Sequence, residues 1–437
     1  MLAIRFFTGE DAIWRLMNVF SINAISTDEC TCSNGNEFRT RWPVVLACFI
    51  CITFSIGPIV SYSFGILVPD IMKEFGWSRA EVLRGITAHN IGILIGAPLI
   101  GVLIDRFSAR LVILLAIPVF ALLWSSLSFL GHAYSLWHFY AVLVLIPIVA
   151  GGVLPMSYSR LIVQNFTELR GLALGIALAG TGFGATILPI FIRFLVDHHS
   201  LSTAYAVIGC GAFVATFFIA FFFLHDTEND TKSSDAITAK KQASADNFWE
   251  ILFSERMFWI MSIMVLLTGF AITAMLINFV PIVTELGMSQ TSAAFAASVL
   301  GLAVLFGRLL IGFLFDRVFA PYVTVVVLLA PVAACVLLTL SPGVLLIYVS
   351  AILLGIAIGA ETDIMVYLTS RYFAPNYFGV ISGLMFALFV GGGALGPLAL
   401  GYLHELQGNY FLSLRLMAGV IFAGAICVLF SPKYRYD

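Results

Sequence analysis

Charge is what this sequence has least of. Of its 437 residues only 11% are Asp, Glu, Lys or Arg, less than half the roughly 25% of a soluble domain. Hydrophobic residues make up 61%, and mean hydropathy is +1.03. That balance excludes a soluble globular enzyme, a disordered chain and a nucleic-acid binder. It leaves an integral membrane protein built mostly of spanning segments. Net charge is −2, so bulk charge names no partner. Cysteine is also scarce, at 7 residues. Cys48, Cys51, Cys210, Cys335 and Cys427 lie in apolar runs and read as small core residues. Cys30 and Cys32 have no second Cys/His cluster to complete a zinc set, so no metal is expected. Catalytic motifs are missing too. There is no Gly-rich loop ending in Lys-Ser/Thr, no His-Glu-x-x-His and no Gly-x-Ser-x-Gly. The chain is therefore not expected to be an enzyme or to carry a cofactor, and any work it does must run on a gradient.

What is present is a series of apolar runs. From Pro43 onward they predict an all-α integral membrane protein of twelve transmembrane helices. The spans fall at about 43–68, 81–104, 110–130, 138–160, 171–195, 204–224, 257–281, 291–315, 321–340, 343–369, 378–403 and 411–431. The first forty residues are no signal peptide, because Arg5, Glu10, Asp11 and Arg15 interrupt any apolar core; Met17 is an alternative start. One set of loops holds sixteen of the 22 Lys and Arg residues, among them Arg39, Arg106, Arg170, Lys240, Arg317 and Arg371. The opposite set holds five: Lys73, Arg79, Arg84, Arg193 and Arg415. Positive residues stay inside, so both termini and the middle loop are expected in the cytoplasm, with the chain in the plasma or inner membrane. The middle loop, from about His225 to Arg256, is polar at first. Its end, Phe248 to Phe253, has the spacing of an interfacial helix. The sequons at Asn165 and Asn229 face the same side and are read as unglycosylated.

The two halves repeat each other. Glu74-Phe-Gly-Trp-Ser78 matches Glu285-Leu-Gly-Met-Ser289, and Gly101-Val-Leu-Ile-Asp105-Arg106 matches Gly312-Phe-Leu-Phe-Asp316-Arg317, both offset by 211. Gly171, Gly175, Gly184 and Pro189 match Gly379, Gly383, Gly392 and Pro397, all offset by 208. The expected organisation is two six-helix bundles, 43–224 and 257–431. They are flanked by cytoplasmic segments 1–42, 225–256 and 432–437. Parallel repeats of this kind rock about a substrate site near the bilayer midplane.

Gly101-x-Leu-x-Asp-Arg-x-x-x-Arg110 resembles the loop signature of the major facilitator superfamily. Four further stretches resemble its monocarboxylate transporter and oxalate/formate antiporter branch. They are Tyr62-Ser-Phe-Gly-Ile-Leu-Val-Pro-Asp70 with the Glu74-to-Ala80 stretch, Arg170 to Gly184, Gly307-Arg308-Leu-Leu-Ile-Gly312, and Gly359-Ala-Glu361-Thr-Asp363 with Tyr367 and Arg371-Tyr-Phe373. The resemblance spans residues 43 to 431. It implies a twelve-helix secondary transporter of a small carboxylate, driven by a proton or a counter-substrate. No nucleic acid or partner beyond membrane lipid is implied, and a monomer is expected. An exporter of hydrophobic compounds is the alternative, and a transport-like sensor a distant one. Two positions depart from the mammalian-type pattern. Val304 stands where those relatives have an aspartate one turn before the arginine, and residues 43–69 contain no lysine.

Arg308 is the one Lys or Arg deep inside a predicted span. It lies eight residues before Asp316, so about 12 Å in from the boundary, near the middle of a roughly 30 Å core. A guanidinium there needs a partner and marks a substrate path or an ion pair. Its planar fork suits a carboxylate, and the resemblance implies that role. Asp363 lies at the same depth, eight residues before Arg371. Asp363 or Glu361 is expected to pair with Arg308 when the site is empty and to take a proton when substrate arrives. His89, beside Asn90, is a further coupling candidate. Tyr62, Ser63, Tyr158 and Asn278 are candidate cavity-lining groups. Asp105, Arg106 and Arg110 are expected to gate, with Asp105 accepting from the amides at a facing helix N-terminus. Asp316 and Arg317 form the second gate. Gly180-Thr-Gly-Phe-Gly184 follows no strand and is read as helix-packing glycine, as is Gly391-Gly-Gly393. Pro189 and Pro397 are expected kinks.

Overall fold

Ser78 and Ser289, matched in the repeat, each start a long helix. The Ser78 hydroxyl accepts from the Glu81 amide, and the Glu81 carboxylate accepts from the Ser78 amide at 2.8 Å, a reciprocal cap. The Ser289 hydroxyl accepts from the Ser292 amide at 3.2 Å. Two residues before each serine stands a glycine at positive φ, Gly76 at 70° and Gly287 at 97°. Only glycine takes that turn without steric cost.

The structure, a computed structural model, describes residues 34–129, 136–225, 252–340 and 343–434. Its first half holds α1 (Asn34–Thr53), α2 (Phe64–Phe75), α3 (Arg79–Arg106), α4 (Ala109–Ser126), α5 (Leu136–Val149), α6 (Pro155–Asn165), α7 (Arg170–His198) and α8 (Leu201–Phe223). The second holds α9 (Arg256–Glu285), α10 (Gln290–Phe315), α11 (Ala320–Thr339), α12 (Val344–Tyr372), α13 (Phe378–Gln407) and α14 (Phe411–Leu429). No strand occurs among the described residues. Among the described residues eleven helices are long and apolar enough to cross a membrane, and Leu136–Val149 is a shorter apolar helix. Together with α6 that short helix makes the twelfth span.

The fourth span departs from the continuous helix expected at 138–160. Helix α5 stops at Val149, a 3-10 turn takes Gly151–Val153, and α6 restarts at Pro155. Proline lacks an amide hydrogen, so it fits the first turn of a helix and breaks an interior. The first span is uneven as well. Helix α1 ends at Thr53, a π turn covers Gly57–Tyr62 with Pro58 at its start, and α2 runs on to Phe75, beyond the expected end at 68. Pro189 and Pro397 sit inside the unbroken helices α7 and α13.

Within the halves, glycines set the spacing. A side chain at Gly180 or Gly184 of α7 would strike the Phe49 or Thr53 carbonyl of α1, and one at Gly392 of α13 would strike the Leu266 carbonyl of α9. Small residues let membrane helices touch backbone to backbone. Between the halves the main seams are α3 against α13 and α7 against α10. Of the interfacial helix expected at Phe248 to Phe253, only Leu252 and Phe253 fall within the described residues, where they are helical. Cys30, Cys32, Met17 and the Asn229 sequon lie outside them.

Candidate functional site

Arg308 lies on α10 and is 5% exposed. The backbones of α10 and α12 run close there, because a side chain at Gly359 would strike the Val304 carbonyl and one at Gly307 would meet the Ile356 backbone. That contact brings Asp363, one turn beyond Gly359, beside the arginine. Arg308 Nη1 stands 3.4 Å from Asp363 Oδ1, and Asp363 is 1% exposed. The pair is loose: Arg308 Nε and Asp363 Oδ2 are buried with no hydrogen-bond partner. Val304, one turn before Arg308, is the residue whose carbonyl packs on Gly359. The counter-charge comes from the neighbouring helix.

Glu361 is two residues from Asp363, about 200° around a helix of 3.6 residues per turn. It faces Met264, Val265 and Thr268 of α9 and Phe389 of α13, and its Oε2 is buried without a partner. Tyr62, from the opposite half, is 50% exposed and lies within electrostatic range of Arg308 and Glu361. Arg308 and Asp363 are thus in direct contact, with Glu361 and Tyr62 within electrostatic range of the arginine. The other expected residues are held elsewhere. The Ser63 hydroxyl donates to the Pro58 carbonyl at 2.9 Å, and Asn278 Nδ2 donates to the Ala274 carbonyl at 2.9 Å, each bonding its own span. Tyr158 is fully buried in the first half, and its hydroxyl has no partner. His89 is fully buried where α3 meets α5, with Nδ1 3.3 Å from the Leu143 carbonyl.

The halves are joined at the end that carries Arg106, Arg170, Arg317 and Arg371, here called the basic end. Asp105 Oδ1 accepts from the Gly379 amide and Oδ2 from the Val380 amide, both at 2.8 Å. Asp316 Oδ1 accepts from the Gly171 amide at 2.6 Å and Oδ2 from the Leu172 amide at 2.8 Å. Each carboxylate so sits on the first amides of a helix of the other half, where the dipole favours negative charge. Gly101 and Gly379 meet carbonyl against Cα in both directions, and so do Gly312 and Gly171. The two contacts exchange under the sequence repeat. Burial raises the Asp316 carboxyl above the usual carboxylate range. The Leu172 and Gly171 amides, then Arg371 and Arg170, act against that rise.

The loop arginines do not share this latch. Arg106 is exposed, with its guanidinium 5.6 Å over the Phe107 ring. Arg110 Nη2 donates to the Phe221 carbonyl at 2.9 Å, within its own half. Arg317, just past the end of α10, stacks 3.6 Å over the Phe313 ring of that helix. Two arginines to which the sequence assigned no gating role do cross between the halves. Buried Arg160 donates to the Pro375 carbonyl and lies 5.5 Å over the Phe378 ring. Buried Arg170 reaches the Ser370 hydroxyl at 3.4 Å. Their flanks are apolar, Ser-Arg160-Leu-Ile and Leu-Arg170-Gly-Leu, and that is the signal that would have marked them.

The Major Facilitator Superfamily family model matches residues 46–397. The chain belongs to the major facilitator superfamily. As a member of that superfamily it is a multi-pass membrane transporter and not an enzyme. Among curated relatives, the Gallate transporter of Pseudomonas putida is 28% identical over 160 residues, 36% of this chain and 34% of that protein. That match spans about a third of the relative's length. Monocarboxylate transporter 12-B of Danio rerio is 22% identical over 431 residues, covering 90% of this chain and 87% of its own. Among solved structures, the superfamily's proton:xylose symporter XylE aligns with a TM-score of 0.70 at 13% identity, over 92% of this chain and 97% of that one. At that identity the likeness concerns the fold alone.

Proposed function

We propose that this superfamily member is a secondary transporter of a small organic carboxylate, a mono- or dicarboxylate, working by alternating access. The observation that carries the reading is a buried arginine that its counter-ion occupies only loosely. A single contact of 3.4 Å to Asp363 leaves the Arg308 fork donors for a second carboxylate. A substrate carboxylate binding there displaces Asp363, and a buried carboxylate without its counter-charge takes a proton. Glu361, on another face of α12 but within electrostatic range of Arg308, is read as the second proton acceptor. Tyr62, from the other half and within electrostatic range of Arg308, is read as a second contact for the substrate. The relatives named for gallate and monocarboxylate transport support the carboxylate class, and the departures at Val304 and in the first span leave proton symport and exchange as two modes of one site.

Asp105 and Asp316 are read as the gates. Each charge-assisted hydrogen bond contributes roughly 1.5–3 kcal/mol, so a latch of two matches the few kcal/mol that separate transporter states. From the Lys and Arg count we read the basic end and both termini as cytoplasmic, and we read the chain as lying in the cell membrane.

The test is uptake into proteoliposomes across labelled mono- and dicarboxylates, with and without a pH gradient. Uptake of one acid should vanish with Arg308→Ala and fall at least tenfold with Arg308→Lys, which keeps charge but loses the fork. A correctly inserted wild type that takes up no acid would end the carboxylate reading. Equal uptake by Arg308→Ala would end the role of the arginine.

A further inference from the structure

The chain's last described residues, 432–434, return from α14 to the basic end and dock on the turn that carries Asp316. Tyr434 is the anchor. Its hydroxyl accepts from the Ala320 amide at 2.6 Å, at the start of α11. Its ring lies 4.7 Å from Phe319 and 5.5 Å from Tyr372. The Tyr372 hydroxyl donates to the Pro432 carbonyl at 2.7 Å. The Arg371 guanidinium sits 5.5 Å over the Tyr434 ring and 5.3 Å over the Tyr367 ring, and Nη2 donates to the Tyr367 hydroxyl at 3.1 Å. Tyr367 in turn donates to the Phe315 carbonyl at 2.8 Å and stacks on the Phe315 ring at 4.7 Å. Residues 315, 319 and 320 are therefore each held, and Asp316 lies between them. Arg371 also acts electrostatically on the Asp316 carboxyl.

We propose that Tyr434 and Arg371 are positioning residues for the gate carboxylate Asp316, and that the C-terminal tail is a strap whose docking favours the closed basic end. The proposal rests on the reading of Asp316 as a gate. A carboxylate can take two adjacent amides at once only if its turn is held in place. The turn from Asp316 to Phe319 has no side-chain cap for α11, since its N-cap is Phe319. The matching turn of the first half is capped by Ser108, whose hydroxyl accepts from the Leu111 amide at 3.1 Å. That turn is also tied to the end of its own half, through Arg110 and the Phe221 carbonyl. In the second half the tail phenol does both jobs. Burial pushes that phenol up to about 12, so it stays neutral throughout the physiological range.

The test measures the distance between probes at the exposed positions Phe107 and Asn376, one in each half, in the full chain reconstituted in lipid. Asp316→Asn comes first and should raise the open population several-fold; an unchanged population there overturns the gate reading itself. Given that opening, Tyr434→Ala should raise it comparably, as should truncation after Ser431. Tyr434→Phe, which keeps the ring stack and loses the hydrogen bond, should fall in between. In the Asp316→Asn background, Tyr434→Ala should add nothing, because its effect runs through that carboxylate. Folded Tyr434→Ala protein with the wild-type distance distribution overturns the strap. So does an opening that adds fully to that of Asp316→Asn.

Discussion

A single nitrogen of Arg308 meets Asp363 at 3.4 Å, and the looseness of that contact fixes what each substitution should do. Removing one member of a buried ion pair leaves the other charge uncompensated, at a cost of about 3–5 kcal/mol. Asp363→Leu alone should therefore lower the unfolding temperature in detergent markedly. Arg308→Met with Asp363→Leu should recover most of that loss while leaving uptake abolished. A double variant as unstable as the single one would mean that the pair is not the source of the effect. Glu361→Gln should behave differently. Its Oε2 has no donor to lose, so the melting temperature should barely move, while the pH-gradient dependence of uptake disappears if Glu361 carries the proton. The sequence marked Arg308 and Asp363 by their depth, and the resemblance drew in Glu361 with them. It left open which carboxylate faces the arginine, because that depends on where α12 lies against α10. The close contact at Gly359 decides it. The Ser63 hydroxyl and the Asn278 amide, expected to line the cavity, bond their own spans, as a polar group does when a carbonyl stands a turn or so back.

At the scale of helices and turns, the proposed gating role makes the two carboxylate contacts the parts that must break. Asp105→Asn replaces a charged acceptor by a neutral one and should shift the population towards an open basic end. Gly379→Val should act in the same direction by a different route, since its side chain would run into the Gly101 carbonyl and the Asp105 carboxylate. Accessibility of a cysteine placed in the basic-end seam to a membrane-impermeant reagent should rise in both; protection unchanged from wild type would remove the latch from the mechanism. The signature Gly101 to Arg110 made this latch legible, down to the helix amides that receive Asp105. It did not make the arginines legible, because a loop charge can turn to a ring, a carbonyl or the other half without changing the pattern. The break in the fourth span was also written in the sequence, as Pro147, Gly151, Gly152 and Pro155. A hydropathy window averages over such a break, because all of these residues suit a membrane.

For the molecule as a whole, twelve spans, two halves and the repeat offsets of 211 and 208 were all readable from composition and spacing. The seams between halves were not, since no local pattern says that α3 meets α13 and α7 meets α10. The exchanged contacts carry one more consequence. Gly101 greets Gly379 as Gly312 greets Gly171, and Asp105 and Asp316 each reach across in the same way. That is the handshake of a two-fold symmetric dimer, in which patch one meets patch two and the reverse. The stretch between α8 and α9 then serves as a covalent tether between partners that already recognise each other. Cut within residues 226–251 and co-expressed as two chains, the halves should find one another in the membrane, co-purify and transport. Two six-helix chains that fail to associate would show that the tether, and not the handshake, holds the molecule together.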